Sequence, residues 1–185
     1  MTTTSNCAKK QLLVWLTGLS GAGKSTIARL LESQLRSKGV SSYLLDADEV
    51  RCGLNNDLGF SPEDRKENVR RLSEVAKLIH CAGTRVVIVA AISPYRSDRL
   101  VARQLFPSGS FFEVYVRIPI EEAEARDIKG LYALSRSGVL RDFTGIDAPY
   151  EEPTHPEVII DVPTTSPHEA ASRILIHIEQ ASPTF

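Results

Sequence analysis

Two hydrophobic rhythms alternate along the chain. Short apolar runs at residues 12–16, 40–45, 86–92, 111–116 and 158–162 have the length and composition of strands. Between them, apolar side chains recur at helical spacing. Ile27, Leu30, Leu31 and Leu35 form one such face, and Val69, Leu72, Val75, Ala76 and Ile79 a second. Leu100, Val101 and Leu105 form a third after Pro94, and residues 120–127 and 167–180 predict two more helices. Ser61 reads as an N-cap, with Pro62 at the first helical position and Glu63 and Asp64 suiting the helix dipole. That helix ends near Gly83, and Ser166 caps the last one.

The run from Val86 to Ile92 is apolar without interruption, which marks a central strand buried on both faces. Five strands joined by helical crossovers predict an α/β fold, a doubly wound parallel sheet of about five strands with helices on both faces. Ligands of such sheets bind at the C-terminal ends of the strands. Residues 128–156, rich in Gly, Pro, Arg and Asp, make a connection too long to be idle.

Composition narrows the picture. At 185 residues the chain suits one domain, read as residues 12–185 behind a flexible N-terminus at 1–11. The formal net charge of −1 gives no sign of nucleic acid or an anionic membrane as partner. No stretch approaches the roughly 20 apolar residues of a membrane span. The polar first ten residues lack a signal peptide's apolar core, so the expected location is cytoplasmic. Cys7, Cys52 and Cys81 are widely spaced and read as reduced thiols rather than a metal site. For Cys7 the alternatives are a redox-labile bridge and a spectator thiol.

Chemistry enters after the first strand, at Gly18-Leu19-Ser20-Gly21-Ala22-Gly23-Lys24-Ser25-Thr26. This is G-x-x-x-x-G-K-[ST], the phosphate-binding loop, in the required context of strand before and helix after. At ordinary residue frequencies it arises by chance at roughly 4 in 100,000 start positions. The glycines let successive N–H groups turn toward a phosphate chain, and the following helix adds its positive end. Lys24 reaches the β- and γ-phosphates, and the Ser25 hydroxyl suits Mg²⁺. The expected ligand is a nucleoside triphosphate.

Asp46 and Asp48 leave the second strand on the same sheet edge. Carboxylates there suit a Mg²⁺ partner and a general base for an incoming hydroxyl, or else an Asx-turn or helix cap. The third strand ends in Ile92-Ser93-Pro94-Tyr95-Arg96, not in the acidic residue of a motor ATPase, which favours a small kinase. Arg51, Arg65 and Lys129 lie just beyond strand ends and, as a set, suit an acceptor bearing phosphate or sulfate oxygens. Taken singly, each reads as a solvated surface charge. Asn68 shares a helical face with Arg65. Phe60 and Phe143 sit in polar, Gly-containing loops, where they either stack on a base or pack on the local chain.

These segments together resemble the adenylylsulfate (APS) kinases. The phosphate loop, Leu45-Asp46-Ala47-Asp48-Glu49-Val50-Arg51, Gly53-Leu54-Asn55 and Asp57-Leu58-Gly59-Phe60-Ser61 carry the resemblance. So do Asp64-Arg65, Glu67-Asn68, Ile92-Ser93-Pro94-Tyr95-Arg96, Asp98-Arg99, Arg126-Asp127, Lys129-Gly130-Leu131-Tyr132, Phe143-Thr144-Gly145-Ile146-Asp147 and Pro149-Tyr150-Glu151. It implies a kinase, with no fused sulfurylase domain, that phosphorylates the 3′-hydroxyl of APS from ATP in sulfate activation. The products are 3′-phosphoadenylylsulfate and ADP, with Mg²⁺ as cofactor and a homodimer as the common assembly.

By position, the resemblance implies Asp48 as the base facing the ribose hydroxyl. Arg51, Arg65, Asn68, Lys129, Ile92 and Ser93 hold the phosphosulfate end, and Phe60 and Phe143 sandwich the adenine of APS. On the ATP side fall Gly18, Ser20, Gly21, Ala22, Gly23, Lys24, Ser25 and Thr26. Arg126 and Thr165 lie by the ATP adenine, and Ser25 and Asp46 at the metal. Ser93 is the position described as a phosphoserine intermediate, although in-line transfer needs no covalent enzyme and no base adjoins Ser93 in sequence. A lid over roughly residues 126–150 excludes water on closing.

Departures from the family pattern are Ala47 for a usual Gly, Arg117-Ile118-Pro119 for an acidic-Thr-Pro, Ala123 for a Cys and Ser137 for an Ala. Two rivals are a nucleoside monophosphate or shikimate-type kinase, and a nucleotide-binding regulatory module without catalysis. The first should lack the 57–61 and 143–147 segments together, and the second should lose Lys24 or Asp48.

Overall fold

The computed structural model describes residues 10–181. Its centre is β1 (Leu12–Thr17), whose six side chains are all buried. Around it a five-stranded, all-parallel sheet runs in the order β2-β3-β1-β4-β5. The other strands are β2 (Ser42–Asp46), β3 (Val86–Ala90), β4 (Phe111–Arg117) and β5 (Val158–Asp161). Leu13 pairs with Val87 on one side and Phe111 on the other, so β1 is flanked by β3 and β4.

The two-residue period of a strand divides the core into two layers. Leu12, Val14, Leu16, Val86, Ile88 and Ala90 face α1 (Lys24–Ser37) and α7 (Pro167–Ala181). Leu13, Trp15, Val87 and Val89 face α3 (Pro62–Cys81) and α4 (Arg96–Gln104). Both faces are covered, as a buried parallel sheet requires. Ser61 Oγ accepts from Asp64 N at 3.1 Å, so α3 starts at its expected cap.

In the helix after Pro94 the three apolar side chains divide, with Leu105 packing on the core and the other two turned outward. Leu100 and Val101 are 55 % and 51 % exposed, while Asp98, Arg99 and Ala102 are buried. An ion pair decides this orientation: Arg99 Nε donates to Glu113 Oε1 of β4 at 2.7 Å. Helical spacing identifies a face but cannot say which face meets a carboxylate on another strand. β2 begins at Ser42 rather than at residue 40, because Val40 N donates to Leu35 O and closes α1.

Two short helices lie in segments that read as connections, α2 (Ala47–Arg51) and α6 (Leu131–Arg136). Asp127 caps α6, accepting from Tyr132 N and Ala133 N at 3.0 Å each. α5 (Ile120–Arg126) ends one residue before the expected 127. Ala47 opens α2 outside the left-handed region, so the missing glycine there carries no backbone strain.

Cys52 and Cys81 are free and exposed. Cys7 and most of the 1–11 segment lie outside the described residues. Gln11 is anchored, its side chain donating to His80 O at 2.6 Å. Among the described residues no helix is long and apolar enough to cross a membrane.

Candidate active site

The phosphate loop is built from backbone that only glycine adopts easily. Gly18, Gly21 and Gly23 have φ of 149°, 77° and 89°. Gly23 is the left-handed N-cap of α1, and Lys24 is the helix's first residue. Lys24 Nζ turns back across the loop and donates to Gly18 O and Leu19 O, each at 2.8 Å. Burial pushes its pKa down to about 8, against the opposing pull of Asp48 and Asp46.

At the end of β2 the two aspartates have different jobs. Asp46 is buried and caps α2, its Oδ1 accepting from Asp48 N at 3.1 Å. The capping alternative therefore describes Asp46 correctly, and it still leaves Oδ2 facing Arg29 Nη2 at 3.7 Å. Asp48 is exposed, and its Oδ2 accepts from Lys129 Nζ, which lies between α5 and α6.

The next wall comes from the end of α2, the loop before α3 and α3 itself. Arg51 Nη1 donates to Leu58 O at 3.1 Å and Gly59 O at 3.0 Å, with its guanidinium 4.6 Å from the Phe60 ring centroid. Arg65 Nε donates to Phe60 O at 2.9 Å and its Nη2 to Asp142 O at 2.6 Å. Each arginine has five N–H donors and these bonds use only some of them. Burial lowers the pKa of both guanidiniums, yet such groups stay charged. Asn68 Oδ1 accepts from buried Asn55 Nδ2 at 3.0 Å, leaving its amide NH₂ free to donate.

At the end of β3, Ser93 is buried and its hydroxyl is engaged. It accepts from Trp15 Nε1 at 3.0 Å and donates to Thr17 Oγ1 at 3.1 Å. Thr17 in turn donates to Ile92 O at 2.6 Å. α6 meets the phosphate loop through Tyr132, whose hydroxyl donates to Ser20 O at 2.9 Å. Phe143 is 5 % exposed and sits edge-on to Tyr132 with centroids 4.9 Å apart, whereas Phe60 is 49 % exposed. Phe143 therefore packs into the core and Phe60 does not.

These walls enclose one cavity of about 490 Å³. It gathers Ser20, Gly21, Gly23, Lys24, Ser25 and Thr26 with Asp46, Asp48, Arg51, Phe60, Arg65 and Asn68. Ile92, Ser93, Lys129 and Phe143 also line it. Four expected residues do not line it. Gly18 and Ala22 shape the loop behind it. Thr165 is buried before α7 with Oγ1 unpartnered, and Arg126 is exposed at the end of α5.

Sequence reasoning passed over Arg29, which lines the cavity and pairs with both Asp46 and Glu49. It lies on α1 one turn past Ser25, and that periodicity was the available signal. Tyr132 also went unassigned, although it lies in the quoted Lys129-Gly130-Leu131-Tyr132 stretch.

Comparison with known proteins gives the chain's family. The sequence model of the family described as adenylylsulphate kinase matches residues 10–161. An adenylyl-sulfate kinase of Burkholderia ambifaria is 54 % identical over 167 residues, covering 90 % of this chain and 92 % of the relative. The Staphylococcus carnosus adenylyl-sulfate kinase is 51 % identical over 170 residues, covering 92 % and 85 %. Among solved structures, the Mycobacterium tuberculosis APS kinase CysC in complex with AMPPNP and APS superposes with a TM-score of 0.88 at 46 % identity. The match covers 92 % of this chain and 99 % of that one.

Proposed function

This chain belongs to the adenylylsulfate kinase family, and we infer that its cavity is where ATP and APS meet. The enzyme transfers the γ-phosphoryl group of ATP to the 3′-hydroxyl of APS, giving 3′-phosphoadenylylsulfate and ADP. The observation that carries the reading is that one cavity joins the phosphate loop to Asp48 and to the cations expected for a phosphosulfate.

Each chain residue then has a physical task. Lys24 exchanges the Gly18 and Leu19 carbonyls for phosphate oxygens, which offer full charge in place of partial charge. Asp48 takes the ribose hydroxyl proton as the nucleophile attacks. Lys129 moves from Asp48 to the phosphosulfate, and Arg51, Arg65 and Asn68 supply their spare donors. Phe60 and Phe143 flank the adenine of APS. We place the ATP adenine beside Arg126 and Thr165, outside the cavity, where the unpartnered Thr165 hydroxyl offers a donor. The buried, already bonded Ser93 hydroxyl supports direct transfer rather than a phosphoserine step.

Ser25 and Asp46 line the same cavity and are both oxygen donors, which suits Mg²⁺. Such an ion keeps most of its waters and neutralises charge on the phosphates. Residues 126–150 act as the lid of a single domain, with Tyr132 as its latch to the phosphate loop. The need for ATP fits a cytoplasmic reaction. Assembly as a homodimer is supported by apolar surface left on α3 and α4 at Leu78, Leu100 and Val101.

The test is ADP formation with ATP plus APS, beside ATP plus AMP and ATP plus shikimate. Turnover with APS alone is expected; a faster rate on AMP or shikimate overturns the acceptor assignment.

Lys24 adds a pH dependence. Its pKa in the fold, about 8, lies below the ordinary 10.5, so between those values the folded chain holds fewer protons than the unfolded one. The burden of burying this ammonium is present below about 8 and is relieved as pH rises through that window. Bound triphosphate raises the pKa again. ATP binding at about pH 8.5 is therefore expected to take up a proton, read by calorimetry in two buffers of different ionisation enthalpy. Identical heats in the two buffers would refute it.

A further inference from the structure

The corner after β3 is held in a conformation that its own residues do not favour. Ser93 has φ of 42°, in the left-handed region, and is 3 % exposed. A non-glycine residue stays there only when its surroundings over-determine it. The side chain is gripped by Trp15 and Thr17, as described above. The Ser93 carbonyl is held chiefly by Arg99, accepting from its Nη1 at 2.6 Å and from Thr17 Oγ1 only at 3.5 Å.

Arg99 is also 3 % exposed, and its planar fork reaches two further elements. Nε donates to Glu113 Oε1 at 2.7 Å and Nη2 to Glu151 O at 2.7 Å. Glu151 is itself fastened to the same corner, its N–H donating to Pro94 O at 2.9 Å. One guanidinium thus joins the β3–α4 corner, β4 and the chain that follows the lid segment. Arg99 does not line the cavity, while Ile92, Ser93 and Pro94 do.

We propose that Arg99 is a positioning residue for the acceptor: by holding the Ser93 carbonyl it keeps the Ile92–Ser93 backbone aimed at APS. The inference rests on the reading that APS lies against this corner. The competing role is purely structural, in which Arg99 only neutralises buried Glu113. Those roles separate because Glu113 has a second cation, Arg103 Nη2, at 3.5 Å.

Three variants decide between them: Arg99→Met, Glu113→Gln and the double variant. Arg99→Met leaves a poorly paired buried carboxylate and is expected to melt early. The double variant removes that carboxylate charge and regains most of the lost melting temperature. Losing a charge-assisted hydrogen bond at the corner is expected to raise KM for APS about 10- to 100-fold in both variants lacking Arg99. KM for ATP should change less than about threefold, because the phosphate loop is untouched. Glu113→Gln alone leaves Arg99 on Ser93 and keeps KM for APS near the wild-type value.

Trp15 supplies a second readout free of turnover. It is the sole tryptophan, and its indole N–H is bonded to Ser93 Oγ. Its emission maximum, measured without substrate, is expected to move in both variants lacking Arg99 and to stay put in Glu113→Gln. If the double variant recovers both melting temperature and KM for APS, or if Trp15 emission is unchanged, the positioning role falls. If wild type fails to turn over APS, the acceptor assignment falls, and the Trp15 emission still decides whether Arg99 holds the corner.

Discussion

Asp48→Asn lowers kcat for 3′-phosphoadenylylsulfate formation by about 10³-fold, the middle of the range for a lost general base. The substitution keeps the size and polarity of the side chain but removes its capacity to take the ribose proton. KM for ATP is expected to stay near the wild-type value, since the phosphate loop contacts are made by other residues. The fold is also expected to survive. Asp48 is 63 % exposed at its side chain and Lys129 53 %, so their pairing contributes at most about 1 kcal/mol. Nor does Asp48 lend its carboxylate to the α2 cap, which belongs to Asp46. ADP release measured under APS saturation, alongside a melting curve, separates chemistry from folding. A rate within tenfold of wild type would remove Asp48 from the role of base.

Gly18→Ala gives the largest structural effect. Gly18 has φ of +149°, and a Cβ there would lie 2.3 Å from the Val116 carbonyl oxygen and 3.3 Å from its carbon. No side-chain rotation relieves a collision with backbone. Val116 is in β4, paired with β1, so the loop and the sheet would have to part. Backbone strain and forced overpacking each amount to about 1–3 kcal/mol, and together to about 4. For a domain of this size that lowers Tm by about 8–16 °C. ATP affinity should fall with it, because Gly18 O helps orient Lys24 Nζ. Gly83→Ala is the comparison. Gly83 also has positive φ, at 101°, but nothing stands within 4 Å of its Cβ position. Its Tm should fall by about a quarter to a half as much, the share due to backbone conformation alone. Equal losses in the two variants would show that the collision with Val116 is relieved at no cost.

Much of the fold was legible because its signals are local. The uninterrupted apolar run of β3 can be satisfied only by burial on both faces, so its place inside the sheet followed from composition, whereas the central place of β1 emerged from the strand order. The α3 start was legible for the same reason, since Ser61, Pro62 and Asp64 each act within one turn. The phosphate loop was equally readable, because glycine spacing and a following helix are sequence-adjacent features. Illegible parts were those in which a partner lies far along the chain. Leu100 and Val101 look like a core face until Glu113 draws Arg99 inward. That Asp46 caps α2 while Asp48 stays exposed was settled only by the start of that helix.

What the chain's letters determined alone was therefore the five strands, the longer helices and the triphosphate-binding loop. These depend on backbone freedom, side-chain charge and periodicity, which neighbouring residues express without help. Tertiary structure alone decided which of these groups meet. Lys129 reaches Asp48 across 81 positions, and Trp15 reaches Ser93 across 78. Such pairings are selected by how the helices pack on the sheet and by the burial of charged groups against one another. Nothing in local spacing encodes that choice, because closing a long loop is worthwhile only once the whole core forms around it.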